Sequence, residues 1–441
     1  MNPKVCIAPT KKNTENDLID AVTVCFNEFG GVENFVKGNI FIKINATAVN
    51  RDSITSPEVI YAIIKVIQEV NVNNHHIYIF DNSAFGMPTR LVFKIENLAK
   101  KIKKLGAIPL YLDEQESISI EFSGNVLDKA IPIPKILYEN LIEHKAENTY
   151  INVPKLKTHL QAGITACMKN QHGLLYDDEK LYNHHKIDEK IVEIYEIFQP
   201  DLNIVDATTV LNNGAVSFSE DWNIPMNILL AGQDAVAVDR IGTDLLGIPV
   251  DRVKYLKIAS EKNLGCSKIE EIEILPHKSI VDKNKIKLND SFEEIELEMP
   301  KNFQIIRGSK HKGCRAGCRS VLEYYKLVAA GGIILPVVGI CGRGHDLTEL
   351  DSIKGSILIV GNCAINELKE YFENRSDNEQ TSVFYIDGHF PITELVKPFR
   401  KVTKITLKQL STMLQLSLPK IITGMVSAKL HKANFKSMIK L

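Results

Sequence analysis

The chain has 441 residues, of which 44% are hydrophobic, and its 53 basic against 54 acidic residues leave a formal net charge of -1 at pH 7. That length suffices for two or three domains, each with its own core, and the balanced charge argues against nucleic acid as the main partner. The N-terminal segment turns charged within a few residues and no run of roughly 18 apolar residues occurs, so neither a signal peptide nor a transmembrane segment is expected and the chain reads as a soluble cytoplasmic protein. In that compartment the eight cysteines are thiols or metal ligands before they are disulfides.

From Gly38 to Asp81 the pattern predicts a βαβ unit: a strand over Asn39–Ile44, a polar loop, a helix from Pro57, and a strand over His76–Phe80. Ser56 is placed to cap that helix, Pro57 to take its first position, and Glu58 to sit in the first turn, where the macrodipole favours it. A lysine-rich helix from about Leu91 to Leu105 then leads through Gly106 into a third strand, Ile108–Leu112. The middle continues with a helix Ile187–Phe198, strands Leu202–Asp206 and Met226–Ala231, and a helix Ala235–Leu246 ended by Gly247. Such alternation predicts an α/β fold with a doubly wound, mainly parallel sheet.

Charged, alternating text between Ile269 and Ile306 reads as a β-rich connector. Beyond it come a helix after Cys318 and strands near Ile333–Val338, Ile357–Val360 and Val383–Ile386, a second, smaller α/β domain. The expected division is therefore 1–268, an α/β domain carrying a Lys/His loop; 269–310, the connector; and 311–441, a cysteine-containing α/β domain with a basic tail. Pro391–Leu441 holds ten Lys or Arg against the single Glu394. A helix packed on its own domain with its lysines in water is the first reading, and peripheral contact with a membrane surface or an acidic partner the second.

The densest chemistry lies in Ile151–His185, which holds four lysines and four histidines among glycines and amides. An apolar run ending at Pro154 reads as the end of a buried strand, placing Lys155, Lys157 and His159 on the loop that leaves it, where open α/β sheets bind ligands. Lys155, Lys157 and Lys169 can offer positive charge to a carboxylate or phosphate, Asn170 a donor and an acceptor, and His159 and His172 acid–base or ligand groups. Of the adjacent His184 and His185 at most one enters a site, and His185 is the preferred one. Lys43 and Asn45 share one face of a strand near its carboxyl end, and Asp81 ends the next strand similarly. Asp206 closes a later strand in the same way, whereas Asp234 and Asp239 read as structural groups.

In the last third, Cys314 and Cys318 precede an apolar helix, with Arg315 and Arg319 beside them to favour thiolate, and Cys341 and Cys363 follow strands. Three or four thiolates meeting there suit a [4Fe–4S] cluster or zinc, while separately buried cysteines are the alternative. No GxGxxG loop follows the early strands and no Walker A sequence occurs, so no NAD or ATP motif is present.

Phe41–Asn45 (FIKIN), Val153–His159 (VPKLKTH), the T-x-x-x-KN-x-x-G pattern of Thr165–Gly173, and the later IVDA and QDAVAVDR segments together resemble the DUF362 family over about Gly38–Gly265. A looser likeness joins the chain to lactate-racemase-like α/β proteins. The resemblance implies frequent pairing with iron–sulfur modules and no single agreed reaction. It also implies a cysteine in a G-C-P-P turn of the last domain; here the turn reads DGHFP, so His389 takes the place of that thiolate.

The resulting expectation is an iron–sulfur or other metal-dependent enzyme acting on a small anionic, carboxylate substrate by redox or lyase/isomerase chemistry. His159, Lys157, Lys169 and Asp81 are its expected catalytic residues. Substrate binding is expected of Asn45, Lys43, Lys155, Asn170, His172 and His185, and metal binding of Cys314, Cys318, Cys341, Cys363 and His389. The alternative is a non-catalytic iron–sulfur electron-transfer or metal-carrier protein that docks a redox partner through its lysines.

Overall fold

Short apolar strands alternating with helices build a mixed α/β structure around one large, mostly parallel sheet, with a smaller parallel sheet late in the chain. The computed structural model describes residues 2–47, 51–70, 75–83, 87–159, 161–212, 223–288, 299–313, 318–319, 321–322, 325, 335–375, 381–386, 401–402 and 417–435. The chain divides into two units, Met1–Leu288 together with Leu414–Leu441, and Asn289–Met413.

The first unit begins with β1 (Lys4–Pro9), β2 (Ile40–Ile44), β3 (Ile77–Asp81) and β4 (Ile108–Tyr111). A separate antiparallel pair, β5 (Ser117–Ile120) and β6 (Ile131–Pro134), follows. The large sheet then gains β7 (Thr149–Val153), β8 (Lys155–His159), β9 (Gly163–Thr165), β10 (Leu202–Leu211), β11 (Asn223–Gly232) and β12 (Glu273–Leu275). Its order is β12-β1-β11-β10-β7-β2-β3-β4, with β8 pairing β10 and β9. Strand β11 runs antiparallel to both neighbours, and β8 to β9; the other pairings are parallel. Every residue of β2 is buried, as expected of a strand covered by helices on both faces. One apolar layer gathers Leu156, Met168, Val236 and Ile241, and another Phe41, Phe80, Leu137 and Tyr150.

Three local expectations change. The lysine-rich helix is broken: Thr89–Val92 and Leu98–Lys104 are separate helices, because Asn97 adopts φ +57°, a left-handed conformation that asparagine tolerates better than most residues. Ser56 does begin the Pro57–Gln68 helix, but its hydroxyl makes no capping bond and instead accepts from Lys155 at 3.2 Å. Lys155–His159 is a strand, not the loop expected after Pro154. After Pro154 the chain pairs onward with β10, and Lys155 lies in register opposite Asp206.

The second unit holds β13 (Phe303–Arg307), β14 (Val337–Cys341), β15 (Gly355–Val360) and β16 (Thr381–Ile386), all parallel and in chain order. The stretch read as a connector thus places Glu273–Leu275 on the edge of the large sheet and Phe303–Arg307 on the edge of the small one.

Candidate functional site

Parallel strands β2, β3, β7 and β10 deliver their carboxyl ends to one edge of the large sheet, and the polar residues there are buried and mutually bonded. Lys43, from β2, places its ammonium 2.5 Å from the Asp81 carboxylate at the end of β3 and donates also to the Ile44 carbonyl. The other Asp81 oxygen accepts from the Ala46 amide at 2.5 Å. Asn45 donates to Asn170 Oδ1 at 3.0 Å, and Lys43 lies 3.4 Å from the same oxygen, so Lys43 and Asn45 do share a face. Asn170 in turn donates to Asn152 at 2.8 Å.

Lys157 is surrounded by acceptors: Asn45 Oδ1 at 2.9 Å, Thr47 Oγ1 at 3.2 Å and the Ser53 carbonyl at 2.8 Å. Burial drives its pKa well below the ordinary lysine value, with Lys169 and Lys155 adding to the fall. Lys155 forms a buried ion pair with Asp206 at 3.0 Å and donates to Ser56 and Thr209. These two lysines, with Lys43, Asp81, Asn45 and Asn170, therefore form an internally satisfied polar scaffold.

Lys169 differs. Its half-buried ammonium makes no hydrogen bond or ion pair among the described residues. Burial, then the neighbouring Lys180 and Lys43 charges, lowers its pKa to about 8, against the opposing pull of Asp81. Three imidazoles lie within reach of its charge, which contributes to holding each of them neutral. Burial is the larger cause in all three, pushing His159 and His172 well below the ordinary value and His184 to about 3.

The histidine tautomers follow from their partners. His159 Nδ1 accepts from the Gln161 and Ala162 amides at 3.2 and 3.1 Å, which puts the proton of the neutral ring on Nε2. His184 Nδ1 lies 3.1 Å from the Lys180 carbonyl, so there the proton is on Nδ1. His172 packs against His184 with ring centroids 5.6 Å apart and ring planes tilted by 58°, and its buried Nε2 has no hydrogen-bond partner among the described residues. His185, the preferred member of the pair by sequence, is exposed; it is His184 that turns inward from the short helical turn His184–Lys186.

Lys169 and Asn170 ride on a one-turn helix, Cys167–Asn170. Asp239 accepts from the Cys167 amide at 2.6 Å and the Met168 amide at 3.0 Å at its start, and from the Tyr255 hydroxyl at 3.0 Å. Burial raises the Asp239 pKa to about 6. Gly173, which closes the KN-x-x-G pattern, packs directly on the Lys43–Asp81 pair. Asp234 caps its helix as expected by accepting from Ala237.

In the second unit Cys318 donates to the Val360 carbonyl at 3.3 Å, Cys341 is the register partner of Val360, and Cys363 lies in the first turn of the helix after β15. Three thiols thus return to the carboxyl edge of the small sheet. Among the described residues, however, no group of three or more His, Cys, Asp or Glu side chains is gathered closely enough to hold a metal ion. Cys314 and His389 lie outside the described residues. A histidine that sequence reasoning missed, His345, bridges the Cys341 carbonyl and the Glu367 carboxylate, each at 3.1 Å.

Residues 40–244, which carry the scaffold, Lys169 and the three inward histidines, match the model of the DUF362 family, described as a domain of unknown function. This region is a DUF362 domain. Over 278 residues the chain is 24% identical to a thylakoid-associated protein of Synechocystis sp., a match covering 60% of this chain and 80% of that protein. Neither match supports the looser likeness to lactate-racemase-like proteins. Among the described residues no helix is long and apolar enough to cross a membrane.

Proposed function

We propose that the DUF362 domain binds a small anionic, carboxylate-bearing substrate at Lys169 and catalyses proton transfer on it. The observation that carries this reading is the Lys169 ammonium, which has no hydrogen-bond or ion-pair partner among the described residues and lies near imidazoles that burial keeps neutral. A half-buried cation without a counter-ion is costly, and a bound carboxylate would relieve that cost. His159, with its proton on Nε2, is suited to donate a second hydrogen bond to the anion. His172 Nε2, buried and without a hydrogen-bond partner among the described residues, is a further group for the ligand to satisfy. A lysine of pKa about 8 holds its proton at neutral pH yet releases it readily, which suits a group that takes and returns a proton in a lyase or isomerase step.

Calorimetric titration with acetate, oxalate and inorganic phosphate tests the reading. Binding of at least one of these anions is expected, and Lys169→Met should abolish it while leaving the fold intact. Binding of none of them, or binding that survives the substitution unchanged, would overturn it.

A metal centre in the second unit, an iron–sulfur cluster or zinc, is a second reading, favoured by the three thiols at the carboxyl edge of the small sheet. Cys318, Cys341 and Cys363 would hold it only with Cys314 or His389 completing the set. Iron, sulfide and zinc analysis after anaerobic purification tests it. Metal in the parent that is lost from a Cys318→Ser, Cys341→Ser variant supports the centre, and no metal in either protein overturns it.

A further inference from the structure

The helix Leu418–Leu430 packs back onto the first unit through one face. Ile421, Met425 and Ala428 are buried, and Gly424 lies so close to Leu91 that a Cβ there would come within 2.6 Å of its Cδ1. Lys94 adds a tether, donating to Thr423 Oγ1 at 2.9 Å, and the Asn434 amide donates to the Asp113 carbonyl just beyond the helix. The opposite face is apolar as well. Ile422, Val426 and Leu430, spaced four residues apart and therefore in one row, are 43%, 49% and 76% exposed. Pro419, also exposed, falls in the same row. A helix already anchored by one apolar face has no need of a second for its own stability.

Charge around this row is of one sign. Lys420, Lys429 and Lys432 are exposed beside it, and Lys94 and Lys420 lie close enough for the Lys420 charge to help lower the Lys94 pKa. No acidic residue occurs between Leu395 and Leu441. From this placement we infer that the Leu418–Leu430 helix docks the protein, reversibly, on an anionic lipid surface, with Ile422, Val426 and Leu430 entering the interface and the lysines meeting the headgroups. The row is a single convex helix face, which suits a plane of lipid. Two copies of the chain brought together by it would juxtapose their lysines, so charge disfavours self-association as the occupant. Three side chains with a few lysines amount to a weak, salt-sensitive anchor.

Vesicle flotation of the full chain tests the inference, using an equal mixture of phosphatidylglycerol and phosphatidylcholine beside pure phosphatidylcholine. Co-flotation with the anionic vesicles, falling about tenfold on neutral ones and in high salt, is expected. Val426→Ser with Leu430→Ser should abolish it, and Lys420→Gln with Lys429→Gln should weaken it by about tenfold. These exposed positions leave the fold undisturbed, which unchanged melting of each variant would verify. No flotation with anionic vesicles, or flotation indifferent to the two serines, would overturn the inference. So would a dimer seen by sedimentation that dissociates in the serine variant, since the face would then belong to a second copy.

Discussion

The Lys43 ammonium and the Asp81 carboxylate form a buried ion pair, 2.5 Å from Nζ to Oδ1, and the backbone of Gly173 closes over it. An added Cβ at Gly173 would lie 2.6 Å from Asp81 Oδ1 and 2.8 Å from Lys43 Nζ, closer than any relaxed contact. The glycine of KN-x-x-G is thus required by space. Gly173→Ala is expected to cost about 1–3 kcal/mol through displacement of the pair. Thermal unfolding of the variant beside the parent measures this, and an unchanged melting temperature would show that the pair shifts freely.

The same pair predicts an asymmetry between single and double substitutions. Asp81→Asn leaves a buried ammonium without its counter-ion and should cost about 3–5 kcal/mol. Lys43→Met combined with Asp81→Leu removes both charges and should recover part of that loss. Recovery stays incomplete because the Ala46 and Asn82 amides, which donate to Asp81, lose their acceptor. Denaturant titration of the three proteins reads the difference directly. A double variant no more stable than the single one would mean that these amide bonds, not the charges, dominate.

How far the sequence exposes this site depends on which interactions are local. The βαβ unit, the Pro57 helix and the polar strand ends follow from two short-range rules, hydrophobic periodicity and ligand placement at carboxyl ends of parallel strands. Burial of Lys155 and Lys157 does not, because it depends on Asp206, Asn45 and Ser53, which lie far away in the chain. Pro154 reads as a strand end, yet the chain resumes pairing beyond it. The choice between His184 and His185 turns on the orientation of one short helical turn after Asn183, whose φ of +48° no periodicity reveals. In the second unit the placing of Cys341 and Cys363 at strand ends is legible from the apolar runs that precede them, while the ring of His345 reaches its partners through contacts 4 and 22 residues away.

Asp239 shows a structural residue acting on the site at a distance. It holds the two leading amides of the helix that carries Lys169, 72 residues from Cys167 in sequence. Asp239→Ala would leave these buried donors unpaired, at about 1–3 kcal/mol each, and let the helix shift. Anion affinity should therefore fall although Asp239 touches no ligand, and Asp239→Asn, which keeps one acceptor oxygen, should retain part of it. Parallel melting and calorimetric titration separate loss of fold from loss of placement.

Lys169 supplies the pH dependence. Its pKa in the folded protein, about 8, lies below the ordinary lysine value of 10.5, so the folded state holds this proton less tightly than the unfolded chain does. Between those two values the unfolded chain binds more protons, and stability from this group rises with pH as the buried charge is lost. Anion binding runs the opposite way: the ammonium is the attracting group, so affinity is expected to be flat near neutrality and to fall as pH rises through about 8. A bound anion strengthens the hold on the proton and moves the fall somewhat higher. Lys169→Arg keeps its charge throughout and should remove the alkaline fall, even where its longer fork lowers affinity overall. Titration of the parent and this variant with oxalate across the alkaline range checks both the direction and the assignment. An alkaline fall that persists in the arginine variant would transfer it to another buried lysine, of which Lys190, lowered to about 7 mainly by burial, is the next to examine.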